Sequence, residues 1–555
     1  MITPLQVTEQ RKSVQDPVVD GFLQRKREHA IAIAIVVLSF VYLCIFLRYS
    51  TIEPDEGIVL QGAERILNGQ IPYRDFFSFY TPGSFYVVAL IFKVFGDSFI
   101  VARTSVAFAG AIASAVTYLL ARRTCSRSIS VLAAILATTC GAAFRFLVLH
   151  NIYSTLLCSL TIYAALRLVE TEKPRWAGIA GSLISLTFLV EQSKGAGIFG
   201  GLLLGFIILR ASGHKSFINE SRLTAAAIGL LWPFIVIFGY FGAHGAAKEM
   251  VASWFWPLQH YTQANRVPYG FQNWSDQTRD AIFHTGPFWL RVVKVVAVSP
   301  GLLIPVLPLI AVAALCFWSV RIFRGNDGSK RCGYYMIVCS SLAGLLGSVV
   351  IVRADVLHFI YLSSLWFVVL AWTLGSEQVP GRVLPAVRPY LTAYTIAAFG
   401  LLGFALLFAA TGARENVATR RGVIRSAAKD TVIEFVQAHV PTGGELLVYP
   451  YLPLYNYLTA THGPSPLDYF QPGMNTSTQA QEIIASLRSR HSVPVLFEAW
   501  FPEKIANSWP DTPLGAIAND PAADYIVRNY RVCKILSSPD GWRFHYMVRK
   551  ETGCP

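Results

Sequence analysis

Long apolar segments recur throughout this chain, and short loops that contain arginine and lysine separate them. The first segment runs from Ala30 to Leu47, immediately after Arg25-Lys26-Arg27. At 1.5 Å per residue it is about 27 Å long, close to the thickness of the hydrocarbon layer of a bilayer. Only 14% of the 555 residues are charged, whereas a soluble protein has nearer a quarter. These features predict a membrane protein with many spans.

The hydropathy pattern predicts eleven transmembrane helices. They cover residues 30–47, 98–121, 129–147, 151–169, 176–191, 197–210, 222–243, 300–320, 333–352, 356–374 and 389–411. With the N-terminus inside, every predicted inner loop is basic, as the positive-inside rule requires. The C-terminus then lies outside. No small-residue cleavage site follows the first span, so we expect that span to be retained.

This topology divides the chain into a cytoplasmic tail (1–29), a membrane domain (30–411) and an outer domain (412–555). The outer domain has a soluble composition and is long enough to bury a core of its own. Its patterns predict a small α/β domain, with helices at 427–439 and 479–488 and strands at 445–450, 494–498, 524–527 and 542–548. Cys533 and Cys554 both lie there, and they either form a disulfide outside the cytoplasm or stay free.

The net charge of +14 comes largely from the short loops between apolar segments. Membrane topology therefore accounts for it, and no nucleic-acid partner is predicted. The other cysteines lie mostly in or beside apolar segments without the spacing of metal ligands, as small packing residues do. No Walker A sequence is present, so no ATP requirement is implied.

The first outer loop carries an unusual pair of acids, Asp55 and Glu56, directly beyond the first span. Residues 57–68 have the pattern of an amphipathic helix, which predicts a helix lying along the membrane surface. After Tyr80-Thr81-Pro82-Gly83, the apolar segment 84–95 is about 18 Å long, too short to cross about 30 Å of hydrocarbon. We therefore expect two interfacial helices in this loop.

Other charged residues are predicted on the same outer face. Arg74, Lys194 and Arg353 are candidates for binding a phosphate. Lys194 is equally consistent with a side chain that reaches the interface, and Arg353 with an ion pair to Asp355. His358, one turn later, is either an interfacial histidine or a substrate contact.

The outer loop at 244–299 is rich in aromatic residues, among them Trp254, Trp256 and Tyr261. Such residues form an aromatic belt at a membrane interface, or a wall that contacts sugar rings or a lipid. The sequence does not choose between the two.

The first outer loop resembles that of GT-C glycosyltransferases. The residues that carry the resemblance are Asp55-Glu56-Gly57, Pro72-Tyr73-Arg74-Asp75-Phe76-Phe77 and Tyr80-Thr81-Pro82-Gly83, together with the two short helices. These enzymes are membrane proteins that use polyprenyl-phosphate sugars, and they include dolichyl-phosphate-mannose protein mannosyltransferases and lipid A aminoarabinose transferases. Arg353-Ala354-Asp355 with His358, and the outer domain, resemble bacterial members.

The resemblance implies an inverting sugar transfer from a polyprenyl-phosphate carrier to a glycan, lipid or protein acceptor outside the cytoplasmic membrane. Asp55 takes the role of general base, which removes the proton of the acceptor hydroxyl. Glu56 orients Asp55 or binds the acceptor, unless the pair only caps a helix N-terminus. Tyr80 and the charged residues Arg74, Lys194, Arg353, Asp355 and His358 are the predicted substrate contacts.

Two positions depart from the pattern of the family. Thr81-Pro82-Gly83 stands where aminoarabinose transferases have lysine-proline-proline, so that phosphate contact is not expected here. The turn at 145–151 has no acid, where oligosaccharyltransferases place metal ligands. No cofactor is predicted to be required, although Asp55 and Glu56 retain the oxygen ligands that bind a divalent cation weakly.

A transporter or flippase of a lipid-linked glycan is the alternative function. It predicts charges at the centres of spans and an internal repeat. The sequence shows few of the former and none of the latter.

Overall fold

The computed structural model describes residues 17–213, 219–274, 276–325, 330–375, 384–412, 414–490 and 492–555. The first half of the predicted tail (1–29) lies outside these ranges, as do parts of three predicted inner loops, at 214–218, 326–329 and 376–383. The rest of the tail is helical, because α1 begins at Pro17.

The described part of the chain before residue 413 is helical. Its helices are α1 (Pro17–Leu43), α2 (Pro54–Leu67), α3 (Gly83–Phe95), α4 (Phe99–Ala121), α5 (Arg127–Leu136), α6 (His150–Thr171), α7 (Pro174–Val190), α8 (Gln192–Ala211), α9 (Glu220–Ala243), α10 (Ala247–Gln259), α11 (Tyr261–Ala264), α12 (Asp276–Phe283), α13 (Phe288–Val298), α14 (Pro300–Leu303), α15 (Val306–Phe323), α16 (Lys330–Val352), α17 (Val356–Tyr361), α18 (Ser363–Gly375) and α19 (Leu384–Thr411). A 3-10 turn, Cys44–Phe46, extends α1, and a π-helical turn, Ala137–Ala142, extends α5.

The prediction of a helical membrane protein is confirmed. Among the described residues, eight helical segments are long and apolar enough to cross a membrane. They are Lys26–Phe46, Phe99–Ala121, His150–Thr171, Gln192–Ala211, Glu220–Ala243, Phe288–Phe323, Cys332–Val352 and Ala386–Thr411. The other three predicted spans coincide with the shorter apolar helices Arg127–Ala142, Pro174–Val190 and Ser363–Gly375.

One predicted span needs correction. The segment expected at 129–147 is helical only as far as Ala142, and a non-helical stretch follows up to α6. The charge of Arg145 explains why the helix does not continue, since a guanidinium needs carboxylate partners that hydrocarbon does not offer. Those partners lie in the first outer loop.

The two predicted helices of the first outer loop are present as α2 and α3. The polar face of α2 packs on the C-terminal domain, where Gln61, Glu64 and Arg65 are buried. Arg65 Nε lies 2.9 Å from the Asp468 carboxylate. Gly57 allows α2 to approach the C-terminal domain this closely, because a Cβ at residue 57 would lie 2.2 Å from the backbone nitrogen of Leu454.

The C-terminal domain is an α/β unit, as predicted. Its elements are β1 (Glu415–Thr419), β2 (Gly422–Ser426), α20 (Thr431–His439), β3 (Leu447–Tyr449), α21 (Leu454–Thr459), α22 (Ser477–Arg488), β4 (Val495–Glu498), α23 (Phe501–Ser508), α24 (Leu514–Ala518), α25 (Pro521–Asn529), β5 (Tyr530–Ser537) and β6 (Arg543–Arg549). Four strands form a mixed sheet in the order β3-β4-β6-β5, with β3 and β4 parallel and the other pairs antiparallel. Strands β1 and β2 form a separate hairpin.

Local sequence misled the prediction in one part of this domain. The strand expected at 524–527 lies inside α25. Asp520 caps this helix by accepting from the backbone N–H of Ala522, and Pro521 begins it, which overrides the strand preference of Tyr525-Ile526-Val527. Cys533 on β5 forms a disulfide with Cys554.

Candidate active site

Two cavities meet at the first outer loop. The interdomain cavity, about 510 Å³, lies between the membrane helices and the C-terminal domain. The glycine-lined cavity, about 540 Å³, lies among α8, α10 and α16. Six residues line both cavities, namely Asp55, Phe79, Tyr80, Arg145, Tyr261 and His358. Two molecules bound in the two cavities can come into contact at this junction, as a reaction between them requires.

The backbone at the start of α2 presents Asp55 to the junction. Pro54 is the first residue of the helix, and the extended backbone of Glu53 precedes it. Asp55 and Glu56 therefore occupy the first turn, where the helix dipole favours a negative charge. The side chain of Asp55 is 38% exposed, so its carboxylate is accessible to a ligand.

Arg145 is the cationic partner of Asp55. Its Nη2 lies 2.7 Å from Glu53 Oε2 and 3.2 Å from Asp55 Oδ2, while Nη1 donates to the Tyr361 hydroxyl. Burial raises the pKa of Glu53, and Arg145 opposes that shift. The sequence prediction missed Arg145, although a lone arginine at the end of an apolar segment was a signal.

The structure does not bring Glu56 to either cavity. Its carboxylate is fully buried and receives two hydrogen bonds from Arg103, from Nε at 2.5 Å and from Nη2 at 2.6 Å. The backbone N–H of Val148 donates to it as well, at 2.9 Å. An acceptor hydroxyl has no access to this group, so its location corrects the expectation that Glu56 binds the acceptor.

Arg353, Asp355 and His358 form a second charged group on the wall of the interdomain cavity. Arg353 Nε lies 2.5 Å from Asp355 Oδ2, and His358 Nδ1 lies 2.6 Å from Oδ1. Asp355 also caps α17 by accepting from the His358 backbone N–H. Although burial opposes ionisation, His358 and Arg353 lower the pKa of Asp355 to about 2. The ion pair between Arg353 and Asp355 that the sequence suggested is therefore formed. All three residues nevertheless line the interdomain cavity.

Lys194 lies behind the wall of the glycine-lined cavity. Its ammonium group contacts Glu191 Oε2 at 2.9 Å, Asn151 Oδ1 at 2.7 Å and Ser154 Oγ at 3.2 Å. These partners use all three of its protons. Lys194 therefore fixes Glu191 and Asn151, which do line the cavity.

Arg74 and Tyr80 have different locations within the first outer loop. Arg74 is 44% exposed, pairs with Asp75 and lines neither cavity. Tyr80 lies at the junction and its ring contacts that of His150, with centroids 4.4 Å apart. The structure thus gathers Asp55, Tyr80, Arg353, Asp355 and His358, and leaves out Arg74 and Glu56.

The glycine-lined cavity is largely apolar. It is lined in part by Gly197, Gly200, Gly201, Gly344 and Gly347 on α8 and α16, and by Trp254, Phe255 and Leu258 on α10. A Cβ at Gly200 or Gly347 would meet no atom within 4 Å. The absence of side chains at these two positions therefore keeps the cavity open.

The aromatic residues of the loop at 244–299 are divided between a cavity wall and the protein surface. Tyr261 lines both cavities, and Trp256 stacks on Phe79 with centroids 5.3 Å apart. Phe288 and Trp289, by contrast, are strongly exposed on α13. One part of the loop is cavity wall and another is outer surface.

The C-terminal domain completes the interdomain cavity. Trp542 Nε1 donates to the carbonyl oxygen of Ile52 at 3.0 Å, and the backbone N–H of Ile52 donates to Asp540 at 2.7 Å. Arg353 Nη2 donates to the carbonyl oxygen of Ser508 at 2.7 Å. These contacts attach the domain to the loop that carries Asp55. In the described ranges, no group of three or more histidines, cysteines and acids is placed to hold a metal ion.

The sequence profile of the dolichyl-phosphate-mannose-protein mannosyltransferase family matches residues 80–238. No curated protein matches the chain in sequence. ArnT from Cupriavidus metallidurans bound to undecaprenyl phosphate is similar in structure, with 12% identity, coverage of 95% of this chain and 99% of that chain, and a TM-score of 0.53. The apo state of the same protein has 12% identity, with coverage of 96% of this chain and 98% of that chain and a TM-score of 0.52. The Archaeoglobus fulgidus oligosaccharyltransferase in complex with Zn and sulfate has 14% identity, with coverage of 92% of this chain and 72% of that chain and a TM-score of 0.50.

These likenesses establish the fold. The chain has the GT-C architecture of ArnT, with a C-terminal α/β domain, and the resemblance seen in the first outer loop is confirmed at that level. Together with the apolar helices, the comparisons identify an integral membrane protein.

Proposed function

We propose that this protein is an inverting glycosyltransferase that moves a sugar, a hexose or a pentose, from a polyprenyl-phosphate carrier to an acceptor. One observation carries the proposal: the accessible carboxylate of Asp55 lies where a strongly apolar cavity meets a more polar one. A lipid-linked donor and a polar acceptor need such a junction, because their reacting atoms must come within about 3.5 Å of each other.

The glycine-lined cavity is suited to the lipid of the donor. Its lining is mainly apolar, and Gly200 and Gly347 leave open space along α8 and α16. A polyprenyl chain gains about 0.8 kcal/mol for each CH₂ group that it buries. The similar ArnT structure contains undecaprenyl phosphate, which supports a carrier of the same class here.

The chemistry requires one proton transfer. The acceptor hydroxyl gives its proton to an Asp55 oxygen while its own oxygen forms a bond to the anomeric carbon. The bond between that carbon and the phosphate oxygen breaks, and the phosphate leaves with the electron pair. A positioned carboxylate contributes about 10²–10⁴-fold to such a step. Attack opposite the leaving group inverts the configuration of the sugar.

Arg145 stabilises charge on both sides of this reaction. It orients the Asp55 carboxylate before the reaction, through a contact at 3.2 Å. Its guanidinium also faces both cavities, which places it to bind the departing phosphate. Arg353 and His358 are the further candidates for contacts to the substrates, through the interdomain cavity.

We place the protein in a bacterial cytoplasmic membrane, with the C-terminal domain outside. The basic residues of the predicted inner loops support this orientation. The Cys533–Cys554 disulfide supports it as well, because disulfides persist in oxidising compartments.

The test is transfer by the purified protein in liposomes, from a polyprenyl-phosphate [14C]sugar to a water-soluble acceptor fraction of the cell envelope. Gly347→Leu fills open space in the glycine-lined cavity and should lower donor binding at least tenfold. Gly239→Leu is the matched control, because Gly239 on α9 is equally open and lines neither cavity. Movement of labelled lipid across the bilayer without any sugar transfer would favour a flippase instead.

A further inference from the structure

One wall of the interdomain cavity is built by the C-terminal domain. Its side chains there are Tyr451, Tyr469, Lys504, Trp509 and Trp542. Neither the family profile, which ends at residue 238, nor the chemistry at Asp55 gives these residues a role. A cavity wall made of aromatic rings and one cation is typical of a site that recognises a ligand.

Tyr451 has a hydroxyl group that the fold leaves unused. The residue is 1% exposed, and its hydroxyl has no hydrogen-bond partner among the described residues. A buried hydroxyl without a partner is destabilising, because it has lost its hydrogen bonds to water. Because Tyr451 lines the cavity, a bound molecule can supply the missing hydrogen bond.

Two tryptophans flank this tyrosine. The ring centroid of Tyr451 lies 6.1 Å from that of Trp509 and 6.1 Å from that of Trp542, and both contacts are nearly perpendicular. Both tryptophans are partly exposed. Aromatic rings with an apolar face beside a polar group fit a sugar ring, which has an apolar C–H face and a rim of hydroxyls.

Lys504 adds a donor at the same place. Its ammonium lies 4.1 Å from the centroid of the Trp542 ring and donates to the carbonyl oxygen of Gly541 at 3.1 Å. No carboxylate of the described residues lies within 4.0 Å of it, and the nearby Asp540 accepts from the backbone of Ile52. Two of its three protons thus remain for a ligand.

We propose that Tyr451, Lys504, Trp509 and Trp542 form an acceptor subsite that binds a saccharide unit. This rests on the proposed function, and it assigns the acceptor to the class of glycans. Trp542 donates to the carbonyl oxygen of Ile52, and the Cα of Ile52 lies at most about 11 Å from that of Asp55, three residues later. A sugar bound there can place a hydroxyl of the same or the next unit at Asp55.

The experiment measures saccharide binding without any transfer. Methyl glycosides of a hexose, a pentose and a hexuronic acid are titrated against the full-length protein in detergent, with saturation-transfer NMR as the readout. We expect at least one glycoside to bind, and Tyr451→Phe to weaken it at least fivefold without lowering the thermal midpoint. Tyr530→Phe is the control, since its hydroxyl is also buried, has no hydrogen-bond partner in the described part of the chain and lies outside both cavities.

A second pair separates stacking from folding. Trp509→Ala should weaken saccharide binding, whereas Trp500→Ala, at an exposed tryptophan outside the cavity, should not. The subsite is disproved if no glycoside binds, if Tyr451→Phe and Trp509→Ala bind like their controls, or if a serine- and threonine-containing peptide binds there instead. Asp55→Asn should retain saccharide binding while it loses transfer. Glycoside binding by a wild-type protein that transfers no sugar would count against the proposed function alone, whereas sugar transfer without any glycoside binding would count against the subsite alone.

Discussion

Asp55 and Glu56 are neighbours in the sequence, yet they have opposite environments. Each pairs with an arginine. Glu56 and Arg103 are both 0% exposed and form two hydrogen bonds, whereas Asp55 is 38% exposed at the junction of two cavities and shares Arg145 with Glu53. Successive residues of a helix point about 100° apart, so one turn faces the protein core and the cavity at once.

The buried pair supports the accessible one. Besides binding Glu56, Arg103 donates through Nη1 to the carbonyl oxygens of Phe146 and Tyr49. Glu56 accepts from the N–H of Val148. The non-helical segment that carries Arg145 is therefore fixed to α2 from both sides, which shows why a charge pair is retained in a core where it gains little stability by itself.

The largest effect should come from Asp55→Asn. The amide keeps the shape of the side chain and cannot accept the proton, so we expect a loss of about 10²–10⁴-fold in the rate of sugar transfer. The thermal midpoint should stay near that of the wild type, because the side chain is partly exposed. Transfer assays with folding checked by circular dichroism decide this, and full activity would exclude Asp55 as the base.

Glu56→Gln should produce the opposite result. It leaves the Arg103 charge buried without its partner, which destabilises by about 3–5 kcal/mol. The rate per folded molecule should fall much less than in Asp55→Asn. Denaturation in detergent measures the loss, and the double variant Glu56→Leu with Arg103→Met should recover much of it. An unstable double variant would show that the Glu56–Arg103 pair contributes to stability beyond cancelling its own two charges.

Glu498 extends the comparison to a buried acid with no lysine or arginine of the described chain within 4.0 Å. Burial raises its pKa to about 7. The native state therefore holds a proton that the unfolded chain releases near pH 4.5, and stability falls as the pH rises from about 4.5 to 7, by about 3 kcal/mol. Glu498→Gln removes this loss.

The thermal midpoint of Glu498→Gln should thus exceed that of the wild type at pH 8 and equal it at pH 4.5. Glu503→Gln, at an exposed acid on the same domain, is the control. Equal midpoints of Glu498→Gln and wild type at both pH values would mean that Glu498 is ionised without penalty.

The smallest effect should come from Arg145→Lys. The ammonium keeps the charge but cannot reach Glu53, Asp55 and Tyr361 together, as the guanidinium does. We expect about a tenfold loss of transfer rate. Arg74→Lys, at the exposed arginine that lines neither cavity, should leave the rate unchanged. Equal rates for both variants would remove Arg145 from the site.

Much of the fold could be predicted from the sequence. The eleven apolar segments, the two short helices of the first outer loop and five of the twelve elements of the C-terminal domain (α20, β3, α22, β4 and β6) follow from hydropathy, period and capping residues. The error at 524–527 arose because a helix N-cap outweighed β-branched residues, and that balance depends on packing. The hairpin β1–β2, strand β5 and the short helices α21, α23 and α24 were not predicted.

The sequence by itself determined that this is a membrane protein with an acidic loop beyond its first span, because apolar length and charge placement are local patterns. Only the tertiary structure decided which acid is accessible, since Arg103 and Arg145 are 47 and 90 residues away from the carboxylates they bind. It also decided that Trp542 closes the site, through a bond across 490 residues. Ion pairs and cavity walls depend on which distant segments meet, and a local pattern does not contain that information.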